Sequence, residues 1–219
     1  MAESDNSLKR LGTDHVDLYQ IHPWDHETPL GETMEALHDV VKAGKALYIG
    51  ASSMFAWQFA KALHVAEQNG LTRFVTMQNM VNLIYREEER EMLPLCAAEG
   101  IGVLPWSPLA RGKLARGPDA TTNRSATDAY SNTLFAATEE ADGKVVKAVE
   151  VLANKRGVPM AQVALAWVMA KPGITSPIIG ATKPRHLDDA VAALALKLTA
   201  EETGALEAPY VPHAVAGFS

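Results

Sequence analysis

Apolar residues follow two different spacings along the chain. Five short apolar runs rich in β-forming residues predict strands, at residues 16–21, 47–50, 74–77, 101–105 and 176–179. Between and after these runs, apolar residues recur every three or four positions, as in amphipathic helices. The predicted helices cover residues 30–43, 56–68, 88–98, 139–156, 160–169 and 184–196.

Strands that alternate with helices predict an α/β fold in which helices cover a parallel sheet through right-handed crossovers. Residues 106–133 are rich in Gly, Pro, Ser, Thr and Asn, so we expect a long loop there. The tail after Leu206 carries two prolines and is expected to be irregular. No linker interrupts the pattern, and residues 1–219 are therefore predicted to form a single domain.

Polar residues follow each predicted strand directly. His22, Ser52, Gln78, Trp106 and the segment 180–183 hold these positions. Ligands of parallel α/β proteins bind at the carboxyl ends of the strands. The pattern therefore predicts one ligand-binding mouth to which all five strand ends contribute.

Composition excludes some classes of function. The 219 residues carry 20 Lys and Arg against 26 Asp and Glu, a net charge of -6, which disfavours nucleic acid as a partner. Cys96 is the only cysteine, so a disulfide within the chain is impossible. The polar start lacks a signal-peptide core, and no apolar run reaches the roughly 20 residues of a membrane helix. We expect a cytoplasmic protein that does not bind a membrane.

Seven segments resemble, in order and spacing, the motifs of the aldo-keto reductase family. They are residues 7–14 (SLKRLGTD), 16–22 (VDLYQIH), 41–45 (VKAGK), 48–53 (YIGASS), 78–79 (QN), 106–112 (WSPLARG) and 179–184 (IGATKP). The likeness is greatest to the bacterial and potassium-channel β-subunit-like branch. The resemblance implies a TIM-type (β/α)8 barrel that is incomplete here, with strands four to eight present and the first three absent. It also implies an NADP-dependent enzyme that reduces aldehydes and ketones.

His22 resembles the catalytic histidine of the family, which stabilises the charge on the carbonyl oxygen. Strand alternation places His22 on the face of Val16, Leu18 and Gln20, toward the predicted mouth. The family's other catalytic residues, an Asp, a Tyr and a Lys, belong to the absent part, so we expect little or no turnover from this chain. A structural loop histidine is the alternative. A metal site with His26 is disfavoured, because Pro23 prevents a helix from aligning the two rings.

The family's cofactor contacts have counterparts along the chain. Ser52 and Gln78 resemble the residues that bind the nicotinamide carboxamide, and Trp106 resembles the aromatic that stacks on the ring, although a core tryptophan is the alternative. The pyrophosphate loop corresponds to Ser107, Pro108, Leu109, Arg111 and Gly112; Arg111 is otherwise an exposed charge.

A second group resembles the segment that binds the 2'-phosphate and the adenine. It comprises Gly180, Thr182, Lys183, His186 and Asp189. Cations beside the N-terminus of a helix that starts at Pro184 suit a phosphate, which favours NADP over NAD. The family has Asn where this chain has Ala190, so one hydrogen bond to the adenine is lost, worth about 1 kcal/mol.

Other interpretations remain open at this point. The chain is either a reductase polypeptide that acts on a small carbonyl substrate, or a non-catalytic module that binds the cofactor or a protein. A phosphate-binding barrel isomerase or lyase lacks its strand-end Lys or paired carboxylates. Open sheet edges at residues 16–21 and 176–179 predict self-association. The charged run 86–91 is predicted to be a solvated helix face, and Cys96 a core residue.

Overall fold

The computed structural model describes residues 2–22, 24–117, 134–135 and 138–217. It divides the chain into two compact units. The first contains the described residues up to Asn79 and the segment Glu91–Val103. The second contains Met80–Arg90 and the described part of Leu104–Gly217. The single domain over residues 1–219 stays a prediction.

The first unit is a parallel sheet with helices between its strands. Its elements are α1 (Ala2–Leu11), β1 (Val16–Gln20), α2 (Leu30–Lys42), β2 (Ala46–Ser52), α3 (Ala56–Gln68), β3 (Phe74–Gln78), α4 (Met92–Glu99) and β4 (Gly102–Val103). The strands pair in parallel in the order β1-β2-β3-β4. The predicted α/β class with a parallel sheet is confirmed.

Apolar helix faces hold α2 and α3 in place. Helix α2 buries Met34, Leu37 and Val40, which recur at the helical spacing of one face. In α3, Phe59 is fully buried and stacks on Phe74 of β3 with ring centroids 5.9 Å apart. Each buried side chain of this size contributes about 1.5–3 kcal/mol. These contacts hold the two helices in the first unit.

The second unit is helical. It contains short 3-10 segments at Glu87–Glu89 and Ala110–Ala115, then α5 (Glu139–Arg156), α6 (Met160–Ala170), α7 (Pro184–Ala193) and α8 (Ala200–Glu207). Helix α6 is apolar on all sides and packs against both α5 and α7. It is the core helix of this unit, as expected of a helix without a polar face.

The predicted strand at residues 176–179 is wrong. The segment has no strand ladder, and Ile178 N instead donates one hydrogen bond to Pro105 O (2.8 Å). Pro177 has no amide hydrogen, so it cannot support a regular ladder. Among the described residues the sheet therefore has four strands rather than five. The absence of the first three barrel strands stays a prediction, and the open edge expected at 176–179 does not exist.

The predicted solvated face at residues 86–91 is wrong for residues 86–89, whereas Arg90 and Glu91 are exposed. The side chain of Glu87 is 7% exposed and Glu88 is buried. Arg86 pairs with Glu89 (2.8 Å) and with Glu207 (3.0 Å), so part of the run belongs to a partly buried ion-pair network. Helix α4 begins at Met92 and not at residue 88. Cys96 is buried, as predicted.

Four further differences concern the ends and the loops. Helices α1 and α8 and the 3-10 segment Ala110–Ala115 lie in stretches predicted to be irregular or left unassigned. Strand β4 has only the two residues Gly102 and Val103. Glycine weakens a strand, and Pro105 cannot donate a ladder hydrogen bond. Residues 118–133 of the predicted long loop lie outside the described part of the chain.

Candidate cofactor and catalytic site

Three strands of the first unit end at polar side chains. Gln20, Ser52 and Gln78 are the last residues of β1, β2 and β3. Gln20 lies opposite Gly50, and Ser52 lies opposite Gln78. Because the strands are parallel, these three ends lie along one edge of the sheet. Ser52 and Gln78 thus lie together at this edge, and the ligand-binding mouth shared by the predicted strand ends stays a prediction.

Hydrogen bonds link these strand ends. Gln78 Nε2 donates to Gln20 Oε1 (3.1 Å), and Gln20 Nε2 lies 3.5 Å from Thr76 Oγ1. Ser52 Oγ and Ser53 N both donate to Gln78 O, each at 2.9 Å. Gln20 therefore orients the side-chain amide of Gln78, while Ser52 and Ser53 hold its backbone carbonyl.

Gly50 makes room for this network. A Cβ atom at Gly50 would lie 2.2 Å from Thr76 Oγ1 and 2.9 Å from Gln20 Cγ. These distances are far inside van der Waals contact. Only glycine lets the side chains of Gln20 and Thr76 cross β2 at this point.

His22 follows β1 by two residues and borders a cavity of about 430 Å³. Gln20, Trp24 and Thr28 also line this cavity, and Met34 and Phe74 form part of its apolar wall. The volume lies within the range of about 300–1,000 Å³ that is usual for small-molecule sites. The cavity offers one imidazole and a few polar groups against an apolar wall.

A turn after His22 shapes one side of the cavity. Asp25 accepts hydrogen bonds from Thr28 Oγ1 (2.5 Å) and from Glu27 N (2.8 Å). The bond from Thr28 is the main reason that the pKa of Asp25 lies below its usual value. The ring centroids of Trp24 and Trp57 lie 6.3 Å apart.

The described residues contain no cluster of three His, Cys, Asp or Glu side chains suited to a metal ion.

Residues 106–112 form a tight loop in the second unit. Trp106 forms an isolated parallel β-bridge with Met80. Asn82 Nδ2 donates a hydrogen bond to Ser107 O (3.1 Å). Two turns follow, closed by Ala110 N donating to Ser107 O and by Gly112 N donating to Leu109 O, both at 2.8 Å. The loop is thus built mainly by its own backbone.

This loop stores backbone strain. In the described chain, the non-glycine residues with positive φ are Ser53 (33°), Ser107 (49°), Ala110 (46°) and Arg111 (54°). Such a conformation costs about 1–3 kcal/mol for each residue and is concentrated at functional sites. All four lie in the two segments that carry predicted cofactor contacts. Successive left-handed residues also turn backbone amides toward a common point, which suits an anion.

The residues predicted to bind the 2'-phosphate and the adenine lie at the start of α7. Lys183 precedes the helix, Pro184 is its first residue, and the amide of Thr182 donates to His186 Nδ1 (3.3 Å). Segment 180–185 is exposed. Asp189 is already engaged, because its Oδ1 accepts a hydrogen bond from Gln162 Nε2 (3.0 Å).

In the second unit, the segments that precede loop 106–112 and the start of α7 lie side by side. The bond from Ile178 N to Pro105 O joins the residues just before Gly180 to those just before Trp106. Ser107, Pro108, Leu109, Arg111 and Gly112 share one loop; Thr182, Lys183 and His186 share one helix start. His22, Ser52 and Gln78 belong to the first unit.

Sequence reasoning missed two supporting residues. Gln20 orients Gln78, and Asn82 holds the backbone of Ser107. Gln20 was visible as a polar residue on the inward face of an apolar strand, on the same face as His22. Asn82 gave no such signal, because it lies outside any periodic segment.

A parallel α/β sheet with polar strand ends, together with a strained loop and a cationic helix start, is typical of nucleotide-binding α/β proteins. The model of the aldo/keto reductase family matches residues 1–210. The chain therefore belongs to the aldo/keto reductase family, as its motifs predicted. The likeness to the potassium-channel β-subunit branch stays a prediction.

Named relatives support this assignment. The chain is 50% identical to versiconal hemiacetal acetate reductase of Aspergillus parasiticus over 96% of its own length and 62% of that protein. It is 47% identical to a putative aryl-alcohol dehydrogenase of Schizosaccharomyces pombe, over 97% of this chain and 60% of the relative. The chain thus spans about 60% of the length of the curated relatives it matches.

A solved structure is also similar. It is a thermostable aldo-keto reductase in complex with the inhibitor epalrestat. The TM-score is 0.75 at 28% sequence identity, and the match covers 95% of this chain and 65% of the solved one.

None of the helices in the described chain has the length and apolar character needed to span a membrane.

Proposed function

We propose that this chain carries the cofactor-binding residues and the catalytic histidine of an NADP-dependent carbonyl reductase. Family membership supports oxidoreductase chemistry, and relatives named as a reductase and as a putative alcohol dehydrogenase suggest a carbonyl–alcohol pair. The chain alone is expected to turn over slowly or not at all, since it has no match to the family's catalytic Asp, Tyr and Lys.

The strained loop is the observation that carries the proposal. Ser107, Ala110 and Arg111 all adopt positive φ within five residues of one another. A structural loop would relieve this strain with glycine, as Gly112 does beside them. The arrangement instead retains Arg111, whose guanidinium suits the two charges of a pyrophosphate.

The residues of the first unit have separate tasks in this proposal. NADPH, when bound, supplies the hydride for the carbonyl carbon. His22 stabilises the negative charge that develops on the carbonyl oxygen, and the cavity beside it receives the substrate. Ser52 and Gln78 bind the carboxamide, because a neutral amide needs neutral donors and acceptors.

The second unit supplies the remaining contacts. Trp106 stacks on the nicotinamide, and the loop that carries Arg111 binds the pyrophosphate. Thr182, Lys183 and His186 bind the 2'-phosphate at the start of α7, where the cation of Lys183 and the positive end of the helix favour an anion. This last group is the reason to propose NADP over NAD.

Cofactor binding is tested by titrating the purified chain with NADPH and following quenching of tryptophan fluorescence. We expect weak binding, and Arg111→Ala should weaken it about tenfold, the usual effect of losing a charge-assisted hydrogen bond. Lys183→Ala should weaken NADPH more than NADH. Arg10→Ala, an exposed charge of α1, is the matched control and should change neither. Equal effects of Arg10→Ala and Arg111→Ala would contradict the proposed site.

The alternative is a module that binds the cofactor without turnover. The absence of matches to three catalytic residues favours it for this chain. NADPH oxidation with 4-nitrobenzaldehyde separates the two functions. Activity that disappears in His22→Ala supports the reductase, whereas binding with no oxidation supports the module.

A further inference from the structure

The C-terminal tail of the second unit is fastened at several points. Glu87 Oε1 accepts hydrogen bonds from Tyr210 OH (2.5 Å) and from His213 N (2.9 Å). Farther along, Ala216 N donates to Tyr85 OH (3.1 Å). The tail therefore follows a defined path after α8, although its sequence predicts an irregular segment.

Glu87 is well suited to this task. Burial alone would raise its pKa, but hydrogen bonds from Tyr210, His213 and Arg90 outweigh burial and hold the pKa below its usual value. Glu87 is therefore a carboxylate at neutral pH, and a charged acceptor makes stronger hydrogen bonds than a neutral one.

His213 is the most enclosed anchor. Its side chain is 4% exposed, and its Nε2 lies 3.0 Å from Asp142 Oδ1 of α5, whose side chain is 5% exposed. The geometry of this contact does not meet that of a hydrogen bond, so Nε2 has no hydrogen-bond partner in the described part of the chain. Thr138 Oγ1 lies 3.3 Å from Nδ1 and donates to Asp142 Oδ2 (2.8 Å). The ring also stacks on Tyr210 with an interplanar angle of 6°.

The tail brings Gly217 to Trp106. A Cβ atom on Gly217 would lie 3.2 Å from Cζ2 of the indole, and φ of Gly217 is +93°. Only glycine allows the backbone to approach the ring edge so closely in this conformation. The tail thus limits how far the indole can tilt on this side.

We propose that His213 is a positioning residue: anchored by Asp142 and Thr138, it holds the C-terminal tail against Trp106 and so fixes the plane of the indole. The consequence for nicotinamide stacking rests on the proposed function, whereas the contact itself does not. His213 contacts Asp142, Thr138, Glu87 and Tyr210, and it acts on Trp106 through the four residues that follow it.

The contact is tested without cofactor by 19F NMR of the full chain labelled with 5-fluorotryptophan. The chain has 4 tryptophans, and the Trp106 resonance is identified by its loss in Trp106→Phe. We expect His213→Ala to shift the Trp106 resonance and to raise its sensitivity to D2O, because the ring edge becomes solvated. The resonances of Trp24 and Trp57 should stay in place.

Two further variants separate positioning from loss of structure. His213→Gln keeps a nitrogen where Nε2 lies and should return the Trp106 resonance most of the way to its original position. Tyr85→Phe removes the anchor of Ala216 but leaves the His213 ring packed, so it should shift Trp106 even if His213→Ala fails to fold. Val211→Ala, a tail residue that is 49% exposed, is the control.

The outcomes test separately the contact of the C-terminal tail with Trp106 and the proposed binding of NADPH. An unmoved Trp106 resonance in folded His213→Ala and Tyr85→Phe overturns the proposal, and so does an equal shift in Val211→Ala. NADPH titration of the same samples is a separate readout, in which His213→Ala should weaken binding several-fold and His213→Gln should restore it. If Trp106 shifts but the wild-type chain never binds NADPH, the positioning role stands and the proposed function fails.

Discussion

At the scale of single residues, the candidate site is marked by backbone conformations that cost stability. Arg111 adopts φ of 54°, a region that side chains with a Cβ avoid. Glycine would fold more easily at this position. Under the proposed function, the guanidinium of Arg111 binds the pyrophosphate, and this binding offsets the cost of the strained conformation.

This trade-off predicts opposite effects on stability and binding. We expect Arg111→Gly to be about 1 kcal/mol more stable than Arg111→Ala, because only the glycine relieves the strain. Both variants lack the guanidinium, so both should bind NADPH equally weakly. Urea denaturation and NADPH titration measure the two quantities. Equal stabilities would show that the left-handed conformation carries no cost in this loop.

Gly50 is needed for space rather than for its dihedral angles. In Gly50→Ala, the new methyl group must displace Thr76 Oγ1 and Gln20, and overpacking of this kind costs about 1–3 kcal/mol. We expect a lower urea midpoint, which Thr76→Ala should partly restore in the double variant. The control is Gly143→Ala in α5, where the added Cβ meets nothing within 4 Å. That control should be neutral or stabilising by about 0.5–1 kcal/mol.

At the scale of elements, helix α8 depends on one acidic residue. Glu202 completes a capping box with Thr199 and forms a two-pronged pair with Arg156, with distances of 2.7 and 2.6 Å. The hydrogen bond from Arg156 is the main reason that the pKa of Glu202 falls to about 2. A lowered carboxyl pKa stabilises the folded state above pH 4.5, and this contribution is lost as the pH falls toward 2.

Glu202→Gln therefore gives a test with a defined sign. The variant should be less stable than the wild type at pH 7, and the difference should shrink as the pH is lowered from 4.5. Urea denaturation at pH 7, 5, 4 and 3.5 measures it. Glu201→Gln, in the same first turn but without the pairing to Arg156, should change little at any pH. A difference that stays constant with pH would contradict the role of the charge.

The sequence predicted most of the helices and strands of the first unit because their signals are local. Helix α3 matches its predicted bounds, since its apolar face and its ends are encoded within the segment itself. The segment 176–179 was wrong because its apolar residues resemble a strand, whereas pairing depends on a distant partner and on Pro177. Burial of Glu87 was equally invisible, because Tyr210 and His213 lie far along the chain.

Part of the site was predictable for the same reason. Ser52 and Gln78 end strands, so position alone marked them, while the roles of Ser107 and Arg111 came from motif resemblance. No pattern in the sequence indicated the positive φ of these residues or the approach of Gly217 to Trp106. Backbone strain and contacts across long sequence separations require coordinates.

At the scale of the whole molecule, the unpaired side of β1 is the feature with the clearest consequence. Strand β1 pairs with β2 on one side, and no other strand of the described chain pairs with it. Beside it on β2, Leu47 and Tyr48 are 49% and 54% exposed. An unpaired strand edge can bind another strand, and natural proteins usually cover or charge such edges.

We therefore expect the chain to self-associate through β1 as its concentration rises. Sedimentation velocity over a series of concentrations measures this, and Leu18→Lys, which places a charge on the edge strand opposite Tyr48, should shift the equilibrium toward the monomer. Leu11→Lys is the matched control, because Leu11 is 66% exposed but belongs to helix α1 and not to the edge strand. A wild-type monomer at every concentration would contradict the prediction. Equal effects of the two lysine variants would show that general apolar exposure, and not the strand edge, drives association.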